Sequence, residues 1–127
     1  MGTPCAIGMK QTDGCVRAIR CNYDGYVGYA GAILGGWYTE PSKIEALLAL
    51  GDLSELDCEL DTCVAYHRDR GEQLRPTRHF ASVEDFQNTA ESKMSVNYLY
   101  LYEDGKWSVY GVYQTDEWME VEVKKEI

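Results

Sequence analysis

The chain predicts an α+β domain, an antiparallel β-sheet of about four to six strands with two or three helices packed on one face. Three observations carry this expectation. Two apolar, strand-forming stretches each turn on an Asp-Gly pair, Asp13-Gly14 and Asp104-Gly105, the signal of a tight hairpin. Between them, "PSKIEALLAL" and "SVEDFQNTAESK" carry helix start and stop signals. No internal repeat, linker or low-complexity run divides the chain, so residues 1–127 read as one domain.

Residues 5–22 read as the first hairpin. A two-residue turn at Asp13-Gly14 pairs Met9 with Ala18 and Ile7 with Arg20. Residues 27–38 read as helical despite their glycines, each costing ~1 kcal/mol against alanine. The helix over 41–50 is better marked, with Pro41 in its first turn, Thr39 as cap and Gly51 at its stop. "TCVAYH", residues 62–67, is a strand candidate. At Ser82, "SVED" is a capping-box variant that opens a helix running to about Lys93. The second hairpin spans 97–113, "NYLYLYEDGKWSVYGVY", and its register pairs Tyr102 with Trp107, Tyr100 with Val109 and Tyr98 with Gly111. "WMEVEV", residues 118–123, reads as an acidic edge strand.

Composition then limits function. Twelve Lys and Arg against 21 Asp and Glu leave a net charge of −9. Duplex nucleic acid and anionic membranes both require a basic face, so neither is an expected partner. No stretch reaches the ~18 apolar residues of a spanning helix. The cysteines are Cys5, Cys15, Cys21, Cys58 and Cys63. Their odd number, without a signal peptide, predicts free thiols and a cytoplasmic location. Cys58, Cys63 and His67 have zinc-like spacing but no fourth ligand, so neither metal nor cofactor is expected.

The charge is unevenly spread. "HRDRGEQLRPTRH", residues 67–79, holds four of the six arginines and both histidines. Four arginines against Asp69 and Glu72 give this segment +2, so the remainder carries −11. A basic loop on an acidic chain reads as a local anion site, because the guanidinium fork suits phosphate and carboxylate. The other reading is a solvated loop whose arginines pair with nearby acids.

Aromatic residues gather in two places. "CNYDGYVGYAG", residues 21–31, crowds tyrosines among glycines at a strand end, either as packing or as the wall of a site for a flat ligand. The second hairpin sets Tyr98, Tyr100, Tyr102, Trp107 and Val109 on one face, again either core or a stacking platform. "GYVGYAG" lacks the spacing of a dinucleotide fingerprint. "HRD" at 67–69 has neither the glycine-rich loop nor the DFG of a kinase.

"DGCVRAIRCNYDGY", "WYTEPSKIEALLALGDLS", "VAYHRDRGE" and "YLYLYEDGKWSVY" together resemble a family of small accessory proteins encoded by bacteriophages and prophages. The resemblance covers roughly residues 13–113. It implies an anti-defence setting inside an infected bacterial cell. Relatives often carry His before the aromatic-Asp-Gly-Tyr block where this chain has Asn22, a departure that weakens a catalytic role there.

The expected function is therefore to bind and sequester a phosphate-containing, nucleotide-derived immune signal without cleaving it. The expected ligand-binding residues are Asn22, Tyr23, Asp24, Tyr26, Tyr66, His67, Arg68, Arg70, Tyr98 and Tyr100. On this reading, Tyr23 to Tyr26 and the 67–72 segment line one cavity. The alternative is a protein inhibitor of the anti-CRISPR kind, with Asp116 to Glu126 masking a basic groove on a host defence protein. A third reading is a small nucleotide hydrolase using His67 and Glu72. The partner expectation also admits a homo-oligomer.

Overall fold

The structure is a computed structural model that describes residues 2–114 and 117–121. Its strands are β1 (Cys5–Lys10), β2 (Val16–Cys21), β3 (Leu53–Glu55), β4 (Val64–Ala65), β5 (Arg78–Phe80), β6 (Tyr98–Glu103), β7 (Lys106–Gly111) and β8 (Met119–Glu120). Its helices are α1 (Ala32–Trp37), entered through a π-helical turn at Val27–Gly31, α2 (Pro41–Ala49) and α3 (Val83–Lys93). The fold is α+β. Eight strands form one sheet in the order β4-β3-β2-β1-β6-β7-β8, with β5 pairing along β2.

The second hairpin has the expected register, Tyr102 opposite Trp107 and Tyr98 opposite Gly111. Asp104 and Gly105 both have positive φ, 52° and 78°, as a two-residue primed turn requires. The first hairpin is shifted by one, pairing Ile7 with Ile19 and Gly8 with Ala18. At its tip only Gly14 has positive φ, 91°. Asp13 instead accepts the Cys15 N–H through its carboxylate, and residues 11–15 form a wider loop closed by Gln11 N–H to Cys15 O.

The sheet is mixed where an antiparallel one was expected. The hairpins join through parallel pairing of β1 with β6, and β3 runs parallel to β2. Helices also cover both faces. On one face Ile7, Ile19 and Tyr100 pack with Leu34 of α1 and with Leu47 and Leu48 of α2. On the other, Ala18, Leu99 and Leu101 pack with Phe86 and Ala90 of α3. Gly8 admits α3 closely, since a Cβ there would lie 3.1 Å from the Phe86 ring.

Ser82 caps α3 by accepting the Asp85 N–H at 3.0 Å, as its sequence predicts. Thr39 does not cap α2. The capping position is Glu40, without a side-chain bond, and Pro41 follows it. The strand expected over 62–67 contracts to β4, and β8 covers part of "WMEVEV", whose residues 122 and 123 lie outside the described residues. No helix among the described residues is long and apolar enough to cross a membrane.

Candidate functional site

The basic segment begins where β4 ends. Tyr66 N–H donates to Asp52 O, and Glu72 N–H returns to Tyr66 O at 2.9 Å, closing residues 66–72 into a loop. Asp69 holds that loop from inside, accepting the Ala65 N–H at 2.8 Å while its own N–H donates to Ala65 O. The chain then runs over the C-terminal end of α2. Asp52 N–H donates to Arg75 O at 3.0 Å, and the Thr77 hydroxyl donates to Leu48 O at 2.6 Å. Gly51, at φ 76°, is required here, because a Cβ would collide with Arg75 O.

The four arginines divide into two kinds. Arg68 lays its fork on Asp69 and donates from Nη2 to Leu60 O at 2.9 Å and Cys63 O at 2.8 Å. Arg78 makes a two-point contact with the buried Asp52, at 2.7 and 3.0 Å, and Asp52 also accepts the Arg20 N–H. These two hold the chain together. Arg70 and Arg75 are different. Their side chains are 50% and 52% exposed, and both guanidinium groups lie over the Tyr66 ring, at 5.4 and 4.6 Å from its centroid. Glu72 sits between them, 3.2 Å from Arg70 Nε and 3.7 Å from Arg75 Nη2. Beside them opens a cavity of about 630 Å³ lined by Glu72, Gln73, Leu74, Arg75 and Pro76.

His67 does not face Glu72 as an acid–base pair. Its Nδ1 lies 2.9 Å from the Glu72 backbone carbonyl, and the Glu72 carboxylate faces the arginines. Arg75 is the member of this cluster that the sequence expectation omitted. Its signal was membership of the basic segment 67–79, which holds Arg75 among its four arginines.

The tyrosine-rich stretch builds a second cluster. Asn22 accepts from Arg20 Nη1 at 3.0 Å, so its side chain serves the fold. Asp24 has φ 59° and turns the chain, and Gly25 then crosses β1, donating to Thr3 O at 2.6 Å. A Cβ on Gly25 would stand 2.6 Å from Thr3 O and 2.7 Å from Cys5 Cβ. Tyr100 corrects the expected ligand set, because it is fully buried and its hydroxyl donates to Gly25 O. Tyr98 is half-buried, stacks on Tyr100 with centroids 6.5 Å apart and accepts from Gln114. Tyr23 and Tyr26 are exposed at 42% and 44%.

The structure thus groups Tyr23, Asp24, Tyr26, Tyr98 and Tyr100 at one place, and Tyr66, His67 and Arg70 at another. Topology separates them. β4 runs antiparallel to β3, which runs parallel to β2, so the chain leaves β2 and β4 in opposite directions along the sheet. The cavity beside Arg75 is lined by residues 72–76 and by none of these tyrosines.

All five cysteines are free thiols, with Cys5, Cys21 and Cys63 buried. Cys63 serves the 57–63 loop, accepting the Asp57 N–H at 3.2 Å beside the Tyr38 hydroxyl at 3.3 Å. Among the described residues no cluster of three or more His, Cys, Asp or Glu could hold a metal ion. In comparisons with protein-family models, curated proteins and solved structures, nothing matches the chain.

Proposed function

We propose that the chain is an anti-defence binding protein that captures a nucleotide-derived signal at the Tyr66 loop and does not cleave it. One observation carries this reading. Two half-exposed guanidinium groups converge on one aromatic ring beside an open cavity, on a chain whose net charge is −9. Arg70 and Arg75 offer forks to phosphate oxygens, and their exposed pairing with Glu72 is weak enough for an anion to displace it. The Arg75 guanidinium plane and Leu74 offer a surface for a base to stack on. The setting in a phage-infected cell rests on the resemblance stated above.

Native mass spectrometry of protein purified from cells carrying candidate defence systems tests this. The expected result is a bound phosphate-containing species that is lost from Arg75→Ala and released chemically intact. Release of a cleaved species favours the hydrolase reading. Recovery of the chain free of small anions, even at full occupancy of the folded state, overturns the proposal.

A second reading is a protein-contact inhibitor. It is supported by the exposed rings of Tyr23, Tyr26 and Tyr113, the last 79% exposed. The acidic segment it invokes, 116–126, lies mostly outside the described residues.

A further inference from the structure

Arg17 stands apart from the other five arginines. Arg20, Arg68, Arg70, Arg75 and Arg78 each have side-chain hydrogen bonds or ion pairs. The Arg17 side chain has none among the described residues, and its Nε is buried without a partner. An unsatisfied buried guanidinium N–H is costly, and such an atom needs an explanation.

The burial of Nε leaves the terminal nitrogens as the part of the Arg17 fork that a ligand can reach. Arg17 is paired in register with His79 of β5, which places two nitrogen-bearing side chains next to each other on one face of the sheet. Both line a cavity of about 500 Å³ with Asp13, Cys15, Phe80 and Ala81 among its walls. This volume lies within the range of small-molecule sites. Asp13 does not neutralise Arg17. Its carboxylate takes the Cys15 N–H at 3.0 Å.

We propose that this cleft binds a small organic monocarboxylate. The carboxylate meets the terminal N–H groups of the Arg17 fork, since Nε itself is closed off from the cleft, and the His79 ring supplies a further donor. Asp13 sets the charge of the ligand. Its negative charge on the same wall disfavours a dianion such as phosphate. Ala81 offers apolar contact to the remainder of the molecule, whereas the Phe80 ring is buried against Phe86 on the other face of the sheet.

The site is independent of the Tyr66 loop, and its test reads Arg17 directly. In protein with 15N-labelled arginine, the Arg17 Nε–H resonance is followed while propionate, benzoate or inorganic phosphate is added at constant ionic strength. The expected result is a saturable shift with the carboxylates, weaker or absent with phosphate. Arg17→Lys, which keeps the charge but loses the fork, should weaken carboxylate binding roughly tenfold when followed at the His79 ring. Arg75→Ala should leave it unchanged. A linear, non-saturating drift with both carboxylates overturns the site. Tighter binding of phosphate overturns the ligand class, and loss of binding in Arg75→Ala overturns the independence of the two sites.

Discussion

The hydroxyl of Tyr100 donates a 2.7 Å hydrogen bond to the carbonyl of Gly25, which lies 75 positions earlier in the chain. It ties the second hairpin to the turn that follows the first. The same Gly25 donates its N–H to Thr3 O and has no space for a Cβ. The Tyr-Asp-Gly-Tyr block is therefore a fold-building joint. Tyr100→Phe should cost about 1–3 kcal/mol, by leaving a buried carbonyl without its donor. Gly25→Ala should cost at least as much, about 2 kcal/mol or more, because backbone rather than a flexible side chain must yield. Urea unfolding measures both. A Gly25→Ala protein as stable as wild type would show that the turn relaxes freely.

The sequence made some of this readable and hid the rest for identifiable reasons. The second hairpin was legible in detail because Asp104 and Gly105 both adopt the positive φ that their dipeptide advertises. The first hairpin was not, because Asp13 spends its carboxylate on Cys15 and keeps a negative φ, so the same dipeptide sits in a longer loop. One residue of slip then exchanged the partners of β1. β3 and β5 have three residues each, too few for an alternating pattern to appear. Parallel pairing of β1 with β6 joins segments about ninety residues apart, and no local signal encodes it. At the candidate site, the basic loop was legible from charge alone. Which arginines are free was not, because Asp52, Leu60 and Cys63 claim two of them through contacts that only the fold creates.

Arg68 and Arg75 should therefore behave oppositely. Arg68→Ala removes the donor to two backbone carbonyls and the partner of Asp69, and should destabilise the chain by about 1–2 kcal/mol. Arg75→Ala alters an exposed side chain and should change stability by under ~0.5 kcal/mol. Ligand retention by native mass spectrometry should fail in Arg75→Ala and persist in folded Arg68→Ala. The reverse pattern would assign the anion contact to Arg68.

Buried Asp52 joins three strands. It accepts the Arg20 N–H of β2, sits just before β3 and grips Arg78 of β5 at two points. Asp52→Ala leaves the Arg78 guanidinium, 38% exposed, without its partner. Breaking a fully buried pair costs ~3–5 kcal/mol, and the exposure of Arg78 brings the expected loss nearer 2–3 kcal/mol. Arg78→Leu with Asp52→Leu should recover part of it, which a double-mutant cycle measures.

Cysteine accessibility offers an independent check of the core. Cys5, Cys21 and Cys63 are buried, whereas Cys15 and Cys58 are partly exposed. Hydrogen bonding to Asp13 raises the Cys15 thiol pKa, and desolvation followed by the nearby Asp57 raises that of Cys58. Alkylation of the native protein should reach only Cys15 and Cys58, and slowly at neutral pH because little thiolate is present. Denaturation should expose all five. Rapid modification of Cys63 in native protein would show that the 57–63 loop opens.

The Tyr66 loop should loosen in acid, and Asp69 is the group responsible. Hydrogen bonds from Arg68, then the Ala65 N–H, hold the Asp69 carboxyl below its ordinary value of 3.8. A carboxylate depressed by folding contributes its full stability above the unfolded value. That contribution is lost as pH falls through the lower folded value. The loop is therefore closed at neutral pH and throughout the mildly acidic range, and begins to open only below 3.8. Protection of the Ala65 amide against hydrogen exchange, corrected for its intrinsic rate, reports this directly, since that N–H donates to Asp69. Asp69→Asn retains the shape of the side chain but cannot titrate. Its Ala65 protection should be low already at neutral pH and flat into acid. A wild-type fall that persists unchanged in Asp69→Asn would place the acid sensitivity in other carboxylates, with Asp13, also held below its ordinary value by the Cys15 N–H, the next to replace.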